Sequence, residues 1–289
     1  MYYLGVSVPL RLKCQMKNNA DFEFRSEEIE LILLNSLSEI RNSKFPCHAL
    51  AVMAKVPHAG PVKTRLTPPL TTEEAAQLSV CFLRDITANI LGLTDDRAER
   101  VILYTPENAE RSLKTLVPDG FRFTPQRGTT LAERLANAGT ELLDEFQSVC
   151  LINSDSPTLP RQILVSALSC LELEGDRVVL GPSQDGGYYL IGLKQPHPSL
   201  FDRIAWSTPD VLAQTIERAR EIDLNVELLP PWYDVDDAAA LQLLCGELFP
   251  SSGQRNCFVG GYAAPHTREY LTRLISGEGG ERIRRAAAL

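Results

Sequence analysis

The chain predicts an α/β domain built around a mostly parallel sheet, and three observations carry that expectation. From Ala49 onward, short apolar runs alternate with segments of helical period, the pattern of strands joined by helical crossovers. The runs 49–53 and 149–152 are continuously apolar, as strands buried on both faces are. Polar motifs rich in glycine or proline follow several of these runs directly. In open α/β sheets, ligands bind outside the carboxyl ends of the strands.

The elements follow in order. Residues 49–53 form the first strand. Thr71-Thr72-Glu73-Glu74 makes a capping box, after which Ala75, Leu78, Phe82 and Ile86 repeat at helical spacing. A strand at 101–104, a weak helix at 107–116 and a short strand at 121–124 lead into a helix at 131–146. The run 149–152 is the central strand, and Pro160 opens a helix at 160–171. Strands at 178–180 and 188–193, a helix at 209–222, a strand at 226–229 and a helix at 237–248 complete the domain.

That domain is expected to span 47–250. Residues 1–46 read as an extension of uncertain order, polar at 18–26 and with one amphipathic helix available at 28–40. Met16 and Met53 are alternative starts, although Met53 would delete the first strand. Residues 251–289 read as a C-terminal segment with one helix and a frayed tail from Gly277, where three glycines precede Arg282-Ile283-Arg284-Arg285.

Composition excludes several classes. At 289 residues the chain is long enough to need no disulfide or metal staple. Its 44% apolar and 23% charged residues are those of an ordinary soluble globular protein. A net charge of −8 argues against a general nucleic-acid binder. No run approaches the length of a membrane span, and the N-terminus is the reverse of a signal peptide. Seven scattered cysteines with no CxxC fit a reducing cytoplasm.

Against this acidic background, residues 54–66 hold Lys55, Lys63 and Arg65 and no acid. Two prolines and Gly60 forbid regular structure, so these cations sit on a loop at the end of the first strand. Such a loop suits a polyphosphate. Asp155 stands three residues beyond the central strand, on the same predicted edge. A carboxylate there can hold Mg²⁺ or Mn²⁺ against a diphosphate, or order a proline-rich turn. In Gln184-Asp185-Gly186-Gly187-Tyr188, adjacent glycines permit close approach to a ligand and Asp185 can bind a hydroxyl. Asp-Gly between two strands is equally a hairpin signal. In Tyr233-Asp234-Val235-Asp236-Asp237, a continuing strand would place Asp234 and Asp236 on one face about 6.5 Å apart, repelling by roughly 2.5 kcal/mol at an effective dielectric near 20. A helix cap or a divalent cation relieves such crowding. Asp236 is the better metal candidate and Asp237 the better cap.

Other chemistries fall away. Lys55 stands where a P-loop needs its first glycine, and Pro61 where it needs its lysine. No GxSxG makes Ser154 or Ser156 a nucleophile, and the four histidines do not pair at zinc spacing.

Taken together, AKVPHAGPVKTRL, QRGTTLAERL, NSDSPTLP, GPSQDGGYYLIGL, AWST and YDVDD resemble, in that order, the bacterial GT-A-like transferases of arsenosugar-type biosynthesis. These are distant relatives of the phospholactate and molybdenum-cofactor guanylyltransferases. The similarity covers residues 48–248, and APHTREYL at 264–271 also matches. It implies a GT-A, nucleotide-diphospho-sugar transferase fold, a Rossmann-like three-layer sandwich. It further implies that Lys55, Gly60, Lys63 and Arg65 bind phosphates and that Gln126 and Gly128 lie near the nucleobase. Asp155 would carry the metal with Asp236 as second ligand. Asp185, Gly186, Gly187 and Tyr188 would form the sugar or acceptor pocket. Asn153, Asp237 and Ala240 depart from the family's more usual glycine, threonine and acid.

The expected activity is metal-assisted transfer from a nucleotide donor to a small acceptor, with Asp155, Asp185 and Lys63 at the reacting centre. Glycosyl transfer from a nucleotide sugar releases a nucleoside diphosphate. Nucleotidyl transfer from a nucleoside triphosphate releases pyrophosphate. A nucleotide-binding protein without turnover is the third reading.

Overall fold

The first apolar run divides its side chains between two faces. Leu50, Val52 and Ala54 enter one buried cluster, and Ala49 and Ala51 the other. This is the signature of a strand covered on both sides. The structure, a computed structural model, describes residues 47–60, 62–94, 97–250, 260–277 and 279–286. The expectations for residues 1–46 lie outside the described residues.

Strand β1 (His48–Lys55) is followed by α1 (Thr72–Leu91), β2 (Ala98–Thr105), α2 (Glu110–Lys114), β3 (Arg122–Pro125), α3 (Leu131–Leu143) and β4 (Ser148–Asn153). Then come α4 (Arg161–Glu172), β5 (Arg177–Pro182), β6 (Tyr188–Leu193), α5 (Val211–Glu221), β7 (Asn225–Leu228), α6 (Ala238–Leu248), α7 (Pro265–Ser276) and α8 (Gly279–Ala286). The strands form one seven-stranded sheet, order β3-β2-β1-β4-β6-β5-β7. Strand β6 alone runs antiparallel to its neighbours; the other pairings are parallel. Strand β4 sits at the centre, as its continuous apolar run predicts.

One helical layer sets Leu78, Phe82, Ile86 and Ile90 of α1, with Leu164 and Leu168 of α4, against the sheet. The opposite layer brings Leu135, Ala138 and Leu142 of α3 and Ala219 of α5. The result is the expected three-layer α/β sandwich. Local signals hold where they were read. Thr71 and Glu74 complete their capping box on α1, and Asp237 caps α6 by accepting from Ala240 N. The weak helix expected at 107–116 splits into a 3-10 turn, Glu107–Ala109, and the short α2.

The C-terminal segment departs from expectation. It carries two helices, and Ala264, Leu271 and Ile283 enter the same core as β1 and α1. In place of a frayed tail, Arg282 pairs with Glu74 at 2.5 Å and buries Ile283 beside it. Eight residues hold no helix on their own, so anchoring from another part of the chain makes this one. Among the described residues, no helix is long and apolar enough to cross a membrane.

Candidate functional site

Three loops meet at the carboxyl end of the central strands. After β1, Lys63 adopts a left-handed conformation (φ 51°, ψ 40°) ahead of the 3-10 turn Thr64–Leu66. Leu66 is fully buried, so the turn is pinned and the Lys63 side chain is directed inward. After β4, Asn153 accepts from Asp155 N at 3.3 Å, which orders the bend carrying Asp155. After β7, the chain crosses the ends of β5 and β4. Trp232 N donates to Pro182 O at 3.0 Å, and Val235 N to Asp155 O at 2.9 Å. Val235 is fully buried, and Asp234 and Asp236 flank it. This segment is not the regular strand that a 6.5 Å spacing assumes.

Lys63 closes the centre. Its Nζ donates to Asp155 at 2.8 Å and to Asp236 at 2.6 Å, while Arg65 donates to the other Asp236 oxygen at 2.7 Å. The Lys63 side chain is only 6% exposed and its ammonium stands 5.6 Å from the centre of the Phe82 ring. Burial works to lower its pKa, but the two carboxylates hold it above the ordinary lysine value. Burial also pushes Asp155 up, against the pull of Lys63. Asp236 goes down despite burial, because Lys63 and Arg65 both neutralise it. Asp234 is pushed up to about 6 by burial, with Asp185, Asp236 and Asp155 adding to the effect and a hydrogen bond from Ser183 opposing it.

The expected metal pair, Asp155 and Asp236, is thus brought together through an ammonium. The carboxylates whose oxygens converge within 4.8 Å are Asp185, Asp234 and Asp236. Oxygen donors with excess negative charge fit a hard divalent cation. Asp185 therefore joins the candidate ligands, and Asp234 is added to them.

Two clefts flank the clamp. A small one of about 180 Å³ is lined by Lys55, Lys63, Ser79, Ser154 and Asp155. A larger one of about 340 Å³ is lined by Arg65, Asp185, Asp234 and Asp236 together with apolar residues, Met53, Leu131, Tyr188 and Trp206 among them. Asp185, Gly187 and Tyr188, expected at a sugar or acceptor pocket, line this cleft.

Other expected site residues serve the fold. The Gln126 amide donates to Leu103 O at 2.7 Å, fastening the end of β2, so that donor is committed away from a nucleobase. Gly128 (φ +122°) turns the chain into α3, where a Cβ would lie 2.6 Å from Glu133 Cβ. Gly60 (φ +97°) is an exposed turn residue with open space around it.

At 183–187 the hairpin reading holds. Segment 183–187 joins the antiparallel β5 and β6, and Asp185 Oδ1 accepts from Gly187 N at 2.9 Å. Gly186 (φ +89°) makes its close approach to the chain itself, since a Cβ would lie 2.1 Å from Pro209 O. Gly186→Ala combines left-handed strain with a backbone clash and should destabilise by at least about 2 kcal/mol. A thermal melt checks it; a melting temperature within a degree of wild type would show that the two loops part freely.

Sequence reasoning assigned no role to Trp206, Leu131 or Ser183. Trp206 and Leu131 line the larger cleft, and Ser183 holds Asp234. The signal for Trp206 lay in AWST, an aromatic residue in a polar loop. Ser183 lay two residues before Asp185, but its partner is 51 positions away.

Residues 91–208 match the domain DUF2064, described as an uncharacterized protein conserved in bacteria. The chain is similar to the crystal structure of a candidate nucleotide-diphospho-sugar transferase from Desulfovibrio desulfuricans G20, at 30% identity and a TM-score of 0.69. That similarity covers 83% of this chain and 98% of the other. A cytidylyltransferase from Leptospira borgpetersenii serovar Hardjo-bovis (14% identity, TM-score 0.45, covering 82% of this chain and 97% of that one) is more remote. So is the molybdopterin-guanine dinucleotide biosynthesis protein A of Archaeoglobus fulgidus (16%, TM-score 0.42, 67% and 95%). No curated protein matches the sequence. With nearly one residue in three shared across almost the whole of the Desulfovibrio protein, the chain belongs to that protein's family, the nucleotide-diphospho-sugar transferases, and contains the DUF2064 domain.

Proposed function

We propose that the protein is a metal-dependent transferase with a nucleotide donor, moving a glycosyl group from a nucleotide sugar to a small acceptor. The observation that carries this reading is the buried Lys63, with Arg65 beside it, held by acidic residues at the carboxyl edge of the sheet. Two cations facing four carboxylates leave the site net negative. A divalent cation, which Asp185, Asp234 and Asp236 would hold, would add the positive charge that admits a diphosphate and would supply Lewis-acid stabilisation of the leaving phosphate. Lys63 and Arg65 then neutralise charge that builds on the leaving oxygen as the sugar–phosphate bond breaks. Arg65 has the planar fork to grip a phosphate through two bonds. Asp185 orients the acceptor hydroxyl from the larger cleft.

Incubation with Mn²⁺ or Mg²⁺ and a panel of nucleotide sugars and triphosphates tests this. Release of a nucleoside diphosphate supports it, and release of pyrophosphate would replace it with nucleotidyl transfer. Nucleotide binding without turnover would leave a binding protein. If no nucleotide raised the melting temperature and no product formed, the reading would be lost.

The Asp234 shift gives a signed pH dependence. A carboxylate whose folded pKa is raised favours the fold below its unfolded value, and that contribution is lost as pH rises through the folded pKa. Asp234, pushed up to about 6, and Asp155, also raised, act together. The metal-free protein is therefore expected to melt at a lower temperature at pH 7 than at pH 5, with Mn²⁺ removing the difference. Mn²⁺ affinity should fall as pH drops through 6, because protons and cation compete for one carboxylate. Calorimetric titration of wild type and Asp234→Asn checks it; the same pH slope in both would exclude Asp234.

A further inference from the structure

The geometry points to the wall carrying Trp206 as the platform for a six-membered sugar ring, held by its apolar face while its hydroxyls reach Asp185 and Asp234. The inference builds on the glycosyl transfer proposed above and names the part of the site that takes the ring.

The mixed lining of the larger cleft imposes two demands. Asp185 and Asp234 offer ionisable carboxylates. Ionised carboxylates only accept hydrogen bonds, so the occupant must bring donors. The same cleft is lined by Met53, Leu131, Tyr188 and Trp206. Leu131 is 48% exposed, although it is the first residue of a helix whose next turns are packed on the core. A purely apolar ligand would strand the carboxylates, and a fully polar one would leave the wall wet. A pyranose answers both, with donor hydroxyls around its edge and C–H bonds on its faces. The cleft holds about 340 Å³, within the usual range for small-molecule sites.

The loop under Trp206 is built to hold the ring still. The half-buried indole packs against the core cluster to which α3 and α5 contribute. Residues Arg203 and Ser207 on either side take left-handed conformations (φ 55° and 64°), a cost that surrounding contacts must offset. Those contacts are present. Ala205 N donates to Gln214 at 2.7 Å, Thr208 Oγ1 to Ala205 O at 2.7 Å, and Leu212 N to Gly186 O at 2.9 Å. The last bond, with the Gly186–Pro209 contact, fixes the Trp206 loop to the loop bearing Asp185. Platform and carboxylate are thus set at one spacing before any ligand arrives. A ring is favoured over an open-chain polyol, which would lose more conformational freedom on the same surface.

Methyl glycosides of common hexoses test this without a nucleotide. Saturation-transfer NMR on the full chain should show at least one glycoside bound, with saturation strongest on the C–H protons of one ring face. Trp206→Ala should weaken that binding about tenfold or more, and Trp206→Phe should restore most of it. Nucleoside diphosphate affinity, measured in parallel with Mn²⁺, should be the same in all three proteins. The inference is overturned if wild type binds no glycoside at about 100 mM, or if Trp206→Ala leaves glycoside binding unchanged. It is also overturned if Trp206→Ala weakens the nucleoside diphosphate as much as the glycoside. Should wild type bind glycosides but no nucleotide, the donor reading fails while the ring platform stands.

Discussion

Lys63→Met is expected to move two affinities in opposite directions. Nucleoside diphosphate binding in the presence of Mn²⁺ should weaken about a hundredfold, while Mn²⁺ binding without nucleotide should tighten about tenfold, each tenfold being about 1.4 kcal/mol. In the nucleotide-free site the lysine ammonium bridges Asp155 and Asp236 at 2.8 and 2.6 Å. Without that ammonium, two carboxylates about 5 Å apart repel by roughly 3 kcal/mol at an effective dielectric near 20. They then either take up protons or bind a cation more tightly. The same change removes a fixed positive charge from the phosphate site, and a metal-held diphosphate loses that partner.

Methionine is chosen because it keeps the apolar stem beside Phe82, so packing survives. Calorimetric titration with Mn²⁺ and with a nucleoside diphosphate reads both changes. If both affinities fell together, Lys63 would be only a brace for the loop. Arg65→Met should do much less to Mn²⁺ alone, since Arg65 is 64% exposed and exposed ion pairs are worth little.

The parts legible in the sequence were those decided over a few residues. The capping box at Thr71 and Glu74, the cap at Asp237 and the strand at 149–152 each rest on neighbours within one turn or one run. Lys63, Arg65, Asp155 and Asp236 were named from residue type and from their places after strands, and those places put them at one edge. What joins them was not legible. Lys63 and Asp236 are 173 positions apart, and nothing local marks one as the other's partner. The two demands on the Asp185 loop were visible only as alternatives, because the contact that reconciles them runs from Gly186 to Pro209. Gln126 shows the opposite case. Its position beside a ligand loop was readable, but which way its amide turned depended on the carbonyl of Leu103, 23 positions away in another strand. The C-terminal helices belong to the same class, since their stability comes from where Ile283 and Arg282 land on the core.

Asp85→Ala is expected to cost about 3 kcal/mol of stability, through loss of charge-assisted bonds to two helix N–H groups, and to loosen the C-terminal helices first. Helix α7 begins at Pro265 after Ala264, and no side chain of its own caps it. Asp85, fully buried on α1, supplies the cap from another element. Its two oxygens accept from His266 N at 3.0 Å and Thr267 N at 2.8 Å. Pro265 has no N–H to satisfy, so these are the next free donors of the helix. An alanine leaves both without that partner, the Thr267 N–H in a buried setting, at the point where α7 meets α1. At about 2–4 °C per kcal/mol for a domain of this size, the melting temperature should fall by roughly 6–12 °C. Asp85→Asn keeps one acceptor and turns an amide donor toward an N–H, so it should fall between the two. Hydrogen exchange should show α7 amides losing protection well before those of β1 and β4, because the cap serves that helix and not the sheet. A uniform loss of protection across sheet and helices would show that Asp85 supports the whole core. An unchanged melting temperature would show that water replaces the carboxylate without cost.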